Sequence, residues 1–378
     1  MDKVLLATAL AFIITYTAIP VIINVSVIKK LFDEPDARKL HSNPVPSLGG
    51  LGIFAGLIMA CLMTISFDSA VEFQYFFAAC LVIFFLGLRD DILVLTALKK
   101  FIGQIIAAFI IIYKGGIIIS SMHGLLGVNE LPEVFSLALT YFTVIVIINS
   151  FNLIDGVDGL AGSLGLFTSI VFGVYFYAIG HVAYSTFAFA LGGSLLAFLI
   201  FNHSPARIFM GDTGSLLIGM ANAILVIHFI NVADQPGSIF QIKAAPAVGV
   251  AILIVPLYDT LRVFAIRIFN RRSPFSPDRN HVHHLLLDRG LSHSATTFIL
   301  VTVNILFAVA AYALSPIGVN YLFAILVGAA SLGIGMLYFT KPKSKLFLAS
   351  DDSTNESEGR RQSKIMPLNP NKAVAEQN

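Results

Sequence analysis

The sequence predicts an all-α, polytopic integral membrane protein of about eleven transmembrane helices, and three observations carry that prediction. Its 378 residues are 57% apolar and 12% charged, against roughly 45–50% and about 25% in a typical soluble domain. The apolar residues gather into runs near the ~20 residues that span a bilayer. The basic residues collect in alternate loops between those runs.

In chain order the runs are 3–28, 48–66, 73–89, 101–119, 134–151, 160–179, 184–201, 213–231, 244–268, 296–314 and 319–339. The first is too long for a signal-peptide core, and its basic flank, Lys29 and Lys30, follows the apolar run, so it reads as a span. The fourth has the softest boundary, because "YKGGIIISSMHGLLGVNELPE" (113–133) can add a short hairpin or an interfacial segment. Cys61 and Cys80 lie inside apolar runs, so no disulfide framework is implied. With no tryptophan present, any interfacial belt rests on tyrosine. No internal repeat of the transporter kind is visible. The catalytic membrane domain is expected over 1–345. The remainder, 346–378, lacks a periodic apolar face and reads as a disordered cytoplasmic tail.

Orientation follows from the charged loops. Lys29, Lys30, Arg38 and Lys39; Arg89, Lys99 and Lys100; Arg207; Arg267, Arg271, Arg272, Arg279 and Arg289; and Lys341, Lys343 and Lys345 fall on one side. The other side has little beyond Lys114 and Lys243. The rich side is cytoplasmic by the positive-inside rule, with the amino terminus outside and the carboxyl terminus inside.

Every chemically rich stretch lies on that cytoplasmic side: "HSNPVPSLGG" (41–50), "GLRDDILVLTALKKFIGQ" (87–104), "NSFNLIDGVDGLAG" (149–162), "FNHSPARIFMGDTGS" (201–215) and "SPDRNHVHHLLLDRG" (276–290). A charged side chain at a helix end in lipid is costly unless it snorkels, pairs or serves a site. One would be unremarked; Asp90, Asp91, Asp155, Asp158 and Asp212, at three separate helix ends on one side, point to a site. Hard oxygen ligands completed by phosphate and water suit Mg²⁺, with Mn²⁺ as a substitute, better than zinc. Lys100 and Arg207 supply positive partners for phosphate. The glycines of "GDTGS" allow backbone N–H groups near an anion. His281, His283 and His284, preceded by Arg279, can bind anions or move protons near neutral pH. Phe209 is a candidate stacking face for a base. This inventory suggests phosphoryl transfer from a soluble, nucleotide-activated donor to a lipid acceptor, with catalysis by positioning and charge neutralisation.

Each motif alone has a plainer reading. "RDD" can be a solvated helix end, the glycines of "DGVDGLAG" can be small-residue helix packing, and "GDTGS" can be a turn with a helix cap. The histidine and arginine loop can touch anionic lipid. His123, His181, His228 and His293 show no clustering and read as structural.

Taken in order over about 36–292, the motifs resemble those of the polyprenyl-phosphate N-acetylhexosamine-1-phosphate transferases, the MraY-like glycosyltransferase 4 group. "DD" is followed by Lys100 and Gln104, then "NSFNLIDGVDGLAG", "FNHSPARIFMGDTGSLLIG", "PLYDTLRV" (256–263) and "HVHH". The resemblance implies that Asp212 is the principal Mg²⁺ ligand with Asn152 a second, that Asp90 is a base toward the prenyl phosphate, and that Asp91 positions metal or lipid phosphate. It implies Asp155 among the catalytic acids, Lys100 on the phosphates, Asp158 on uridine, Phe209 on uracil, and the "HVHH" loop with Arg279 over the diphosphate and sugar.

His-Val-His-His after "PDRN" is similar to the UDP-N-acetylglucosamine branch, the WecA/TagO type, which starts O-antigen, enterobacterial common antigen or teichoic acid synthesis. The second acidic residue of "DGVDG" favours a bacterial origin, hence the inner (cytoplasmic) membrane. The expected partners are UDP-GlcNAc and undecaprenyl phosphate, with no nucleic acid and with room for a homodimer. Transfer of phospho-MurNAc-pentapeptide stays open as an alternative, as does a lipid or nucleotide-sugar transporter, although a transporter site belongs near the midplane.

Overall fold

The computed structural model describes residues 1–31, 45–235, 240–271, 273 and 280–340. It is all-helical: the described residues form no β-strand, and Ser121 and Glu130 make an isolated bridge. The helices are α1 (Asp2–Lys29), α2 (Gly49–Thr64), α3 (Glu72–Ile92), α4 (Ala97–Tyr113), α5 (Glu133–Ile154), α6 (Leu160–Ala178), α7 (Val182–Asn202), α8 (Gly211–Ala233), α9 (Ala245–Ile252), α10 (Ile254–Phe269), α11 (Val282–Leu287), α12 (His293–Leu314) and α13 (Val319–Phe339). The expected tail lies outside the described residues.

Seven of these helices are long and apolar enough to cross a membrane, and α9 with α10 makes an eighth if the pair is one broken span. The sequence-based count of eleven also includes α2, α3 and α4. Of these, α2 and α4 are short, at 16 and 17 residues, and α3 carries Glu72, Arg89, Asp90 and Asp91 at its ends. Helix α8 forms the axis, packed against α2, α3, α5, α6 and α9. Its most apolar window is 83% buried, against 11% for α13. The apolar side chains that α13 exposes, such as Tyr321, Leu332 and Phe339, suit contact with lipid tails.

The ninth apolar run is not one straight helix. It bends by 87° between α9 and α10. Pro256 has no N–H to donate to the Ile252 carbonyl, so a continuous helix would lose a bond there. Asn304 of α12 repairs the gap from the side: its amide donates to the Ile252 carbonyl (2.8 Å), and its side-chain oxygen accepts from the Val255 N–H (3.0 Å). The turn aims α10 across the end of the bundle, against α5.

The segment after α4 forms the short hairpin that its sequence allowed, with the Met122 N–H on the Asn129 carbonyl (2.7 Å) and the Leu131 N–H on the Ser120 carbonyl (2.9 Å). At that end of the bundle the structure corrects one expectation. His181 and His228 do cluster, with Nδ1 and Nε2 2.9 Å apart and the Tyr184 ring stacked on His228 at 3.6 Å.

Candidate active site

At the opposite end, the start of α8 is gripped by main chain. "PSLGG" (46–50) runs beside "FMGDTG" (209–214): the Phe209 N–H donates to the Pro46 carbonyl (2.7 Å), and the Gly49 and Gly50 N–H groups donate to the Phe209 and Met210 carbonyls (both 2.9 Å). The contact is close enough to require glycine. A Cβ at Gly50 would fall 2.2 Å from the Gly214 nitrogen, and one at Gly87 would fall 2.5 Å from the Thr213 Cα. Gly211 turns the chain into α8 at φ 70°, a conformation that favours glycine.

Asp91, in the last turn of α3, caps this start from outside. Its Oδ1 accepts from the Asp212 N–H (2.7 Å), and its Oδ2 accepts from the Thr213 N–H (3.0 Å) and the Thr213 hydroxyl. A carboxylate there satisfies orphan helix donors and complements the helix dipole. Both oxygens of Asp91 therefore serve to hold Asp212 in place. Asp90 points elsewhere: Oδ1 accepts from the Leu95 N–H (2.6 Å). The Lys100 ammonium then bridges two acids, 2.6 Å from Asp90 Oδ2 and 2.7 Å from Asp212 Oδ2.

Asp155 follows α5, where burial first, and then the charges of Asp212, Asp91 and Asp158, push its carboxyl up to about 8. It therefore holds its proton at neutral pH.

Beside Lys100 opens a cavity of about 530 Å³. Lys100, Gln104, Asn149 and Asn152 line one side; Phe264, Arg267, His281, His283 and His284 line the other, with Gly156 against the His283 ring. The amide of Asn149 donates to Gln104 Oε1 (2.9 Å), and that of Asn152 donates to Ser215 Oγ (3.0 Å) on α8. The His281 and His283 rings lie parallel, 5.7 Å apart, and His284 tilts against His283 at 4.3 Å. Burial, followed by the neighbouring charge of His284, pushes His283 down to about 3. Gly156 leaves room for that ring: a Cβ there would lie 2.5 Å from His283 Nε2.

Thus Lys100, Asn152 and the three histidines face one space, with Asp90 and Asp212 tied to it through Lys100 and Asp91 through the Asp212 N–H. Four further expected residues do not line this cavity, the first being Asp155 at the end of α5. Asp158 is buried, accepting from the Ala206 N–H (3.3 Å) and lying 3.3 Å from His293 Nδ1. The Arg207 guanidinium sits 4.8 Å over the Phe201 ring. Phe209 lies on the backbone zipper described above. Arg279 lies outside the described residues.

Sequence reasoning missed Asp259, Arg262 and Arg267 of α10 as site residues. Asp259 accepts from His281, the Val282 N–H and Arg262. A buried carboxylate and two arginines beside an apolar run were the available signal.

Among the described residues no group of three His, Cys, Asp or Glu is arranged to hold a metal. Mg²⁺ takes one or two protein oxygens and completes its shell with water and phosphate, so a site for it does not need three such groups. Asp212 and Asn152 provide hard oxygens of that kind, and the acids around Lys100 already gather about a cation. The donor set fits.

This is a helical membrane protein whose polar end joins acids, a lysine and histidines around one cavity. The sequence model for "Glycosyl transferase family 4" matches residues 73–230, the stretch from α3 to α8. A probable undecaprenyl-phosphate N-acetylglucosaminyl 1-phosphate transferase of Bacillus subtilis (strain 168) is 30% identical over 323 residues, 83% of this chain and 87% of that one. The decaprenyl-phosphate N-acetylglucosaminephosphotransferase of Mycobacterium tuberculosis (strain ATCC 25618 / H37Rv) is 33% identical, over 70% of this chain and 71% of its own. The undecaprenyl-phosphate alpha-N-acetylglucosaminyl 1-phosphate transferase of Escherichia coli (strain K12) is 29% identical, with 84% of each chain covered. The chain belongs to glycosyl transferase family 4.

Proposed function

We propose that this protein transfers N-acetylglucosamine-1-phosphate from UDP-GlcNAc to undecaprenyl phosphate, releasing UMP and starting a cell-surface polysaccharide. One observation carries the reading: a cavity with Lys100, itself bridging Asp90 and Asp212, on one wall and three histidines on the other. Such a wall-to-wall distribution of charge suits a diphosphate held between an acid–lysine cluster and imidazoles. The names of the relatives support the donor and the prenyl acceptor.

The reaction is a single displacement. An oxygen of the prenyl phosphate attacks the β-phosphorus of the donor, the bond to the UMP oxygen breaks, and UMP leaves. Lys100 turns from its acids to the phosphates, which frees Asp90 to take the proton of the lipid phosphate. Asp91 keeps the start of α8 in register, and the histidines and Arg267 hold the departing side. Mg²⁺, when bound by Asp212 and Asn152, supplies the charge neutralisation that the diphosphate requires. Asp158, Phe209, Arg207 and Arg279 complete the nucleotide and sugar contacts in this reading.

The same reading sets the protein in the bacterial inner membrane with eleven spans, amino terminus outside and the site facing the cytoplasm. Residues 1–345 form the catalytic domain, and 346–378 form a cytoplasmic tail. A homodimer is compatible with it. The test is a transfer assay in detergent with undecaprenyl phosphate, Mg²⁺ and either UDP-GlcNAc or UDP-MurNAc-pentapeptide. Lipid-linked GlcNAc-phosphate with an equal amount of UMP is the expected result. Product from the pentapeptide donor alone overturns the donor assignment, and no product from either overturns the reaction.

A further inference from the structure

The histidine wall has an anchor to which the proposed transfer steps assign no part. Asp259 sits on α10, one turn and a half beyond the bend, and is 2% exposed. Both of its oxygens are engaged at the start of α11. Oδ2 lies 2.8 Å from His281 Nδ1; Oδ1 accepts from the Val282 N–H (3.0 Å) and from Arg262 (2.7 Å). Arg262 also donates to the Asn280 carbonyl and, across to α13, to the Tyr338 hydroxyl (3.0 Å). The ring of His281 and the backbone N–H of the next residue, Val282, are therefore held by one carboxylate.

The chemistry of that contact selects a tautomer. An ionised carboxylate only accepts, so the hydrogen of a neutral His281 must sit on Nδ1. Nε2 then presents a lone pair. That nitrogen is 3.5 Å from Arg267 Nη2, a group that only donates, and His281 lines the cavity. A donor on the Nε2 side and an acceptor on the Nδ1 side agree on the same tautomer.

We propose that Asp259 is a positioning residue that locks His281 as the Nδ1–H tautomer, so that the Nε2 lone pair exchanges its long 3.5 Å contact with Arg267 for a hydrogen bond accepted from a substrate O–H group. The substrate group is a hydroxyl or protonated phosphate oxygen; the assignment of a phosphate-bearing substrate rests on the proposed transfer. A carboxylate behind a functional imidazole is a general way to set ring orientation and basicity. The charged groups around His281 are Asp259, Arg262 and Arg267 from α10, and His283 and His284 from α11, with Lys100 across the cavity. Among them Asp259 is the anion in contact with the ring, so its loss removes the nearest counter-charge of His281.

Two measurements test this on the full chain in detergent. In ¹⁵N-histidine spectra of the wild type, the resonances removed by His281→Ala are expected to be those of a fixed Nδ1–H tautomer. An Nε2–H tautomer, or an averaged pair, overturns the proposal whatever the donor proves to be. In the transfer assay, Asp259→Asn is expected to lower kcat about 10–100-fold with KM for the sugar nucleotide changed less than threefold, as for a misoriented outer partner. The acid limb of its kcat–pH profile moves to lower pH, and Asp259→Asn adds no further loss in a His281→Ala background. An unmoved acid limb, or losses that multiply, makes Asp259 a fold-stabilising residue only and overturns the proposal.

Discussion

The two walls of the cavity are built by different means. On the acid side, position is set by main chain: "PSLGG" is zipped to "FMGDTG", Gly50 and Gly87 let α2 and α3 touch the backbone of α8, and Asp91 caps that helix. On the histidine side, position is set by side chains, through Asp259, Arg262 and an imidazole stack. Backbone contacts cannot yield without moving whole helices, whereas side-chain clamps can be released one bond at a time. The acid wall therefore suits groups whose spacing must not change, and the histidine wall suits groups that must close on a substrate. The two sides should fail differently when damaged.

The largest expected effect is at the fixed centre. Asp212→Asn keeps the shape of the side chain but removes its charge from Lys100 and from the proposed Mg²⁺. Transfer should fall by about 10³-fold or more, in the range set by losing a principal electrostatic group, while the unfolding midpoint changes little. Near-normal rates at ordinary Mg²⁺ would refute the metal assignment.

One substitution made on each side compares the walls directly. In Gly50→Ala the new methyl meets the Gly214 nitrogen and the Thr213 carbonyl carbon, which belong to the main chain. Overpacking of this kind costs roughly 1–3 kcal/mol, so thermal stability and transfer should fall together. In Gly156→Ala the methyl meets the His283 ring, a side chain and not main chain. Transfer should fall by about 10²-fold, as when reacting groups shift by an ångström, with a smaller loss of stability. Equal losses of stability in the two variants would erase the distinction.

The difference also explains what was legible in the sequence. Asp90, Asp91, Lys100, Asp212 and the "DGVDG" glycines stand in short motifs, where spacing along one helix end fixes their neighbourhood. The Asp259–His281 contact spans 22 residues and joins two motifs that carry no mutual signal. The bend at Leu253 depends on Asn304, 52 residues beyond Ile252, and the His181–His228 pair on a contact over 47. Local composition recovered the helices because the bilayer demands long apolar runs; pairings between helices carry no such period. Pro256 within the ninth apolar run and Asn304, an amide midway along another, were the visible hints of the bend.

The acid wall carries a cost that pH should expose. Asp155 is raised to about 8 in the fold by burial and by its acidic neighbours, whereas an unfolded aspartate titrates near 3.9. Between those values this carboxyl is more protonated in the folded state than in the unfolded one, so its contribution to metal-free stability falls as pH rises from about 4 to about 8. Asp155→Asn removes this dependence. In chelator, its melting temperature should exceed that of the wild type at pH 9 and approach it at pH 5, with transfer reduced at both. A variant that is less stable than wild type at pH 9 would show that the carboxylate is not desolvated there.

His283 gives the histidine wall the opposite slope, and the smallest effect of the set. Its folded pKa is depressed to about 3, by burial and then by His284, against about 6.5 unfolded. Here the unfolded state binds the extra proton, so the stability that comes from keeping the ring neutral is fully present above about pH 6.5 and is lost as pH falls toward 3. His283→Gln cannot charge. Melting curves at pH 7.5 and pH 5, compared between the variant and the wild type, should show a drop of a few degrees in the wild type that the glutamine lacks. If both fall alike, the acid sensitivity belongs to other groups and His283 is not held neutral by burial. If the wild type alone falls, the imidazole against Gly156 serves as an uncharged wall, and the protons and charges of that side belong to His281, His284 and Arg267.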